Sequence, residues 1–175
     1  MKRIICILLF LCLAGAGNVV YGQSVVQKVE TEERLVLNSQ NDPLSIVDSR
    51  AMFDFIDNRF YKLESDLSAK SGIVEVEIYE LTKNSTLKEA FASIGPLNLL
   101  AITEDKVVEF VKKYSSHLND EFGGNYFLII SKGSFYFVDV KIIDDNMLCF
   151  IFDPEDDFVW HGHFGSRLIV ARTKY

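Results

Sequence analysis

The chain has 175 residues, 25 acidic against 18 basic side chains for a formal charge of −7, and 49% hydrophobic residues. An acidic chain is repelled by nucleic acid and by anionic membranes, so neither is an expected partner. The apolar content and length are enough for one buried core.

Lys2 and Arg3 precede an apolar run over residues 4–14, and Gly15, Ala16 and Gly17 then lead to Val20, Tyr21 and Gly22. That order of charged, apolar and small residues is the order of a signal peptide, with cleavage expected after Gly22. The run is well short of the roughly 20 residues a spanning helix needs, so no permanent membrane anchor is expected. The product would be periplasmic or secreted. Loss of Lys2 and Arg3 takes the net charge from −7 to −9, and loss of Cys6 and Cys12 leaves Cys149 as the only thiol. With no internal disulfide available, the core alone must hold the fold.

Residues 23–42 read as a lead-in that need not be ordered, with Arg34, Leu35, Val36 and Leu37 able to form an edge strand; residues 43–175 read as a single domain. From 48 to 67, Phe53, Ile56, Phe60, Leu63 and Leu67 recur every three or four positions, which predicts an amphipathic helix stopped by Gly72. Val74, Val76 and Ile78 alternate against Glu75, Glu77 and Glu80, which predicts a strand with one wet face. Thr86 and Glu89 have capping-box spacing ahead of a short helix closed by Gly95 and Pro96. Residues 97–102 read as a brief strand. Thr103 is placed to cap a helix in which Val107, Val111, Tyr114, Leu118 and Phe122 share one face, with Gly123 and Gly124 as its stop.

Beyond Gly124, apolar runs at 126–130, 135–143 and 147–152 are separated by Lys132-Gly133 and Asp144-Asp145-Asn146, which predicts an antiparallel meander. Residues 158–164 and 167–173 would add a last hairpin turning at Gly165 and Ser166. The expected fold is therefore α+β: a two-layer sandwich, its mostly antiparallel sheet covered on one face by two amphipathic helices. The other face, half open, would be the natural cleft or partner surface.

The chemically richest segment is 153–164. If it is extended, Asp157, His161 and His163 share one side while Phe158, Trp160 and Phe164 take the other. Two imidazoles can chelate one transition metal, and zinc would suit them, given a third ligand such as Asp157 or His117. The competing reading is a polar strand face, and the spacing-defined second ligand pair of a zinc site is missing. The acidic run 153–157 lacks the residue order of a calcium loop and reads as a turn. Neither Ser166 nor Cys149 lies in a nucleophile motif, so no catalytic residue is assigned. Phe158, Trp160 and Phe164 are the candidate binding residues.

The expected function is an exported, non-catalytic binding module. Its partner would be a protein of the cell envelope, including a toxin blocked by an immunity-type inhibitor, or a small apolar ligand. Two other classes compete with it: a metal-binding protein or metal-dependent hydrolase built on His161 and His163, and a structural envelope subunit.

Overall fold

The structure, a computed structural model, describes residues 24–38, 43–63, 72–120 and 122–172. The expected signal segment, residues 1–22, lies outside the described residues. Within them, no helix is long and apolar enough to cross a membrane.

A mixed α/β architecture is built on one large sheet. Its strands are β1 (Val26–Val29), β2 (Leu35–Leu37), β3 (Phe55–Ile56), β4 (Val74–Leu81), β6 (Asn125–Ser131), β7 (Ser134–Ile143), β8 (Asn146–Phe152) and β10 (Arg167–Ala171). They lie in the order β1-β4-β10-β6-β7-β8-β3, with β2 following β1 along the same edge of β4. Short strands β5 (Ser85–Thr86) and β9 (Val159–Trp160) pair separately.

The expected meander forms: β6, β7 and β8 pair antiparallel, with turns at Lys132-Gly133 and Asp144-Asp145, where Lys132, Gly133, Asp144 and Asp145 all adopt positive φ. Such backbone is least costly for glycine and tolerable for aspartate. The expected final hairpin does not form. β10 inserts between β4 and β6, antiparallel to the first and parallel to the second, while β9 leaves the main sheet for β5. Leu168, Ile169 and Val170 form a continuous buried run, the pattern of a strand covered on both faces. The lead-in contributes β1 and β2, so residues 24–38 are part of the sheet, whereas 39–42 lie outside the described residues.

Among the described residues three α-helices accompany the sheet: α1 (Leu87–Ile94), α2 (Leu97–Leu100) and α3 (Glu104–Tyr114). The capping box of α1 is complete, the Thr86 side chain accepting from the Glu89 amide and the Glu89 carboxylate accepting from the Thr86 amide. At α3, Thr103 holds the N-cap position without a side-chain cap bond. The helix also ends earlier than its apolar spacing predicts. A 3-10 turn over Ser115–His117 tightens the chain and brings Leu118 into the core, leaving Phe122 exposed.

Two segments change type. Residues 97–102, expected as a strand, form the single turn of α2 after Pro96, followed by a lone parallel bridge from Ile102 to Ile129. A short apolar run has no period long enough to separate helix from strand. The expected helix at 48–67 is absent over its described part. In its place stand 3-10 turns at Val47–Ser49 and Asn58–Lys62, with β3 between them. Aspartates account for the difference. Asp54 accepts the Met147 amide of β8 at 2.8 Å and Asp57 caps the Asn58–Lys62 turn by accepting the Arg59 amide, so one tertiary bond and one local bond replace helical ones. Phe53 and Phe60 are still buried, as the spacing required.

Alternate residues of the central strands enter two separate cores. Phe127, Ile129, Val138, Val140, Cys149 and Ile151 pack with α3 and with Ile46, Phe53 and Phe60. On the opposite face, Tyr126, Leu128, Phe137, Leu168 and Val170 pack with α1 and α2. The helices thus divide between the faces and do not gather on one, which departs from the expected two-layer arrangement. The chain crosses between layers at Ala101-Ile102, the first residue belonging to the α1/α2 core and the second to the α3 core.

The sheet edges are partly closed by side chains. Along β2, the Val36 amide donates to the Tyr114 hydroxyl at 3.0 Å, Lys113 Nζ donates to the Val36 carbonyl at 2.9 Å, and the Asn38 amide donates to Glu109 at 2.7 Å. At the far edge, β3 and Asp54 occupy the backbone of β8. Blocking an edge in this way removes a template for uncontrolled strand pairing.

Candidate functional site

The α1/α2 core stops at Phe137, Phe152 and Trp160. Past that line, the same sheet face continues along β8 and β3 with Leu148 and Phe150 half buried and Phe55 46% exposed. Their direction follows from alternation: Cys149 and Ile151 point into the α3 core, so Leu148, Phe150 and Phe152 point the other way.

Trp160 is brought to this face by β9. The Ser85–Trp160 and Thr86–Val159 pairing anchors the segment beside the start of α1, and the Gly162 amide donates to Asn84. The indole lies 4.8 Å from the Tyr126 ring, 5.6 Å from Phe152 and 5.2 Å from Phe158 (centroid to centroid), and the Phe55 and Phe150 rings are 5.3 Å apart. Aromatic groups therefore form a strip in two parts, Phe158 (65% exposed), Trp160 and Phe152 in one and Phe150 and Phe55 in the other, which adjoin through Phe152 and Phe150 as same-face neighbours along β8. Each ring separation falls within the range of favourable aromatic pairs.

Beside Tyr126 and Phe150, in cross-strand register with both, lies Asp139. It is fully buried. Its Oδ1 accepts the Asn125 amide at 3.1 Å, while Oδ2 has no hydrogen-bond partner and faces Lys141 Nζ at 3.7 Å. Burial pushes its pKa up to about 7, against the opposing pull of the Lys141 charge and the Asn125 bond. Burial raises the Tyr126 hydroxyl as well, helped by the nearby Asp139 carboxylate. Lys141 also lies 5.7 Å from the Trp160 ring centroid, so one ammonium group links the buried acid to the aromatic strip.

Glycines make this packing possible. A Cβ at Gly124 would fall 2.5 Å from the Tyr126 hydroxyl oxygen and closer still to Asp139 Oδ1, and one at Gly123 would fall 2.6 Å from Asn119 Nδ2. They serve close approach between loops, not the helix stop expected of them. Asn119 ties the same region together by donating to the carbonyls of Phe164 and Gly165.

Of the residues singled out in the sequence, Phe158 and Trp160 come together in the strip. Phe164 does not join them: it belongs to the 3-10 turn Gly162–Phe164, its ring 4.1 Å from His163. His161 and His163 are exposed, with ring centroids 5.4 Å apart. His117 lies elsewhere, its Nε2 3.5 Å from Glu33. Asp157 is exposed in the acidic loop, near enough to Lys88 to help raise that group's pKa behind the stronger effect of Glu155. Among the described residues, no group of three or more His, Cys, Asp or Glu side chains is placed to hold a metal ion. The loop carboxylates are partly engaged as turn caps, Asp153 accepting the Glu155 amide and Asp156 the Asp153 amide.

Cys149 is fully buried and its thiol pKa is raised by desolvation, the opposite of an activated nucleophile. Ser166 is buried behind Tyr126. The sequence reading missed Asp139 and Lys141, which lie at alternate positions of a predicted strand. An acid inside the apolar run 135–143 was the available signal, since a charge at a core position is rare unless it has a role.

Beside Lys141, an open groove of about 620 Å³ is lined by Asp120, Phe122, Gly123, Ile142, Ile143 and Asp144. No family model, curated protein or solved structure matches this chain.

Proposed function

We propose that the chain is an exported binding module with no catalytic role, taking a protein partner of the cell envelope or its surroundings on the aromatic strip. The observation that carries this reading is the aromatic surface from Phe158 to Phe55, on a sheet face that the helices cover only in part. Exposed contiguous apolar surface costs solubility and marks interaction sites. Aromatic side chains are enriched in the buried cores of protein interfaces, and tryptophan among their hot spots. The acidic charge favours a basic partner and speeds its association at low salt.

Affinity capture from the envelope and secreted fractions of the source, using the processed chain as bait, tests this reading. A stoichiometric protein partner lost on Phe158→Ser supports it; no partner dependent on the strip overturns it. The second reading, metal binding, draws support from one feature, the adjacent exposed rings of His161 and His163. Zinc would be the cofactor, and the pair would need donors beyond its own two nitrogens.

A further inference from the structure

The aromatic strip is bounded by carboxylates at both ends of β8. Asp144 and Asp145 stand exposed in the turn before it, and Asp153, Glu155, Asp156 and Asp157 stand exposed in the loop after it. Nearby cations are already engaged: Lys141 faces Asp139 and the Trp160 ring, Lys88 pairs with Glu155 at 2.8 Å, and Arg59 pairs with Asp57 at 2.7 Å while lying 5.9 Å from the Phe152 ring centroid, which leaves Phe55, Phe150 and Phe158 as the rings without a cation of this chain over them among the described contacts. The strip thus presents apolar rings between negatively charged margins.

We infer that the surface docks a cationic, amphipathic segment of a partner protein, with apolar side chains against Phe55, Phe150 and Phe158 and lysine or arginine side chains on the carboxylate margins. This rests on the binding-module reading and specifies the partner's chemistry. A purely apolar partner would leave the margins desolvated and unpaired, which disfavours it, whereas an anionic one would be repelled. Lysine and arginine also gain from the faces of exposed aromatic rings, so the same cations that answer the carboxylates are attracted by the strip. A second copy of this chain would bring its own acidic margins into contact with these.

Trp160, the chain's single tryptophan, lies in the strip and reports on its occupancy. The probe is a tryptophan-free ten-residue peptide alternating lysine and leucine, with glutamate-leucine and lysine-serine peptides as controls. Binding is read by Trp160 fluorescence and by amide shift mapping on the labelled protein. The expected result is saturable binding of the lysine-leucine peptide alone, with shifts centred on residues 148–160 and 55. Phe158→Ser should weaken it at least tenfold and Asp157→Lys at least threefold, neither lowering the melting temperature.

Equal binding of the glutamate or serine control, shifts centred elsewhere, or no binding would overturn the inference, as would a stable dimer in sedimentation that buries the strip. The two failures are separable. A captured protein partner that depends on Phe158 but binds through a neutral or acidic segment leaves the binding module standing and removes the cationic chemistry. Absence of any strip-dependent partner removes both.

Discussion

Asp139→Asn removes a charge while keeping the side chain's shape, and it should stabilise the protein at neutral and alkaline pH. The carboxyl is fully buried beside Tyr126, Asn125 and Phe150, with Lys141 as the facing cation, and burial raises its pKa from 3.8 to about 7. In the folded chain the proton is held to higher pH than in the unfolded chain. The folded state therefore binds the extra proton between pH 4 and 7, and its stability falls as pH rises through that window. Below pH 4 both states are protonated and the penalty vanishes; above pH 7 it is complete. At about 1.36 kcal/mol per pH unit the interval corresponds to about 4 kcal/mol, with about 2 kcal/mol as a lower figure once local relaxation and water entry are allowed for. Urea unfolding of both proteins from pH 4.5 to 8.5, followed by Trp160 fluorescence, measures the difference directly. The asparagine variant should gain on the parent steadily up to pH 7 and then run parallel to it. Curves that stay parallel throughout, or a variant that loses ground as pH rises, would refute the argument that Asp139 is ionised at a cost.

Gly124→Ala should destabilise by about 1–3 kcal/mol or more in the same assay, because the added methyl overlaps the Tyr126 hydroxyl and Asp139 Oδ1 in a packed region; a neutral effect would show that the loop moves freely. Thr86→Ala should cost about 1 kcal/mol through loss of the α1 cap, and Glu89→Ala combined with it should cost less than the sum of the two single changes, since both residues act in one capping box. Excess zinc should leave the melting temperature unchanged, as two imidazoles with no third donor among the described residues hold it weakly. A rise abolished by His161→Ala would favour the metal reading instead.

Much of the sheet could be read along the chain because its rules are local. Val74, Val76 and Ile78 alternate with polar neighbours, and the turns after Ser131 and Ile143 carry residues suited to positive φ, so β4 and the β6-β7-β8 meander follow from period and turn chemistry. The α1 cap was equally legible, because Thr86 and Glu89 satisfy each other within one turn. The segment 48–67 misled for the same reason in reverse: helical spacing brought Phe53 and Phe60 to the core, but Asp54 and Asp57 had better partners in the neighbouring strand edge and turn. Of the site, Phe158 and Trp160 were among the candidate binding residues of segment 153–164, whereas Phe150 lay inside the apolar run 147–152 and Phe55 fell outside the apolar spacing of 48–67, so neither was singled out.

The residues alone determined where strands alternate, where turns fall, that the charge is acidic and that a chain cut after Gly22 would keep one cysteine, since each depends only on neighbours in sequence or on composition. Tertiary structure decided that β10 threads between β4 and β6, that helices cover both faces, and that Asp139 lies buried beside Tyr126 and Lys141. Those outcomes join residues tens of positions apart. They are set by which strand edges and apolar faces remain to be satisfied once the local elements have formed, a competition that no local pattern encodes.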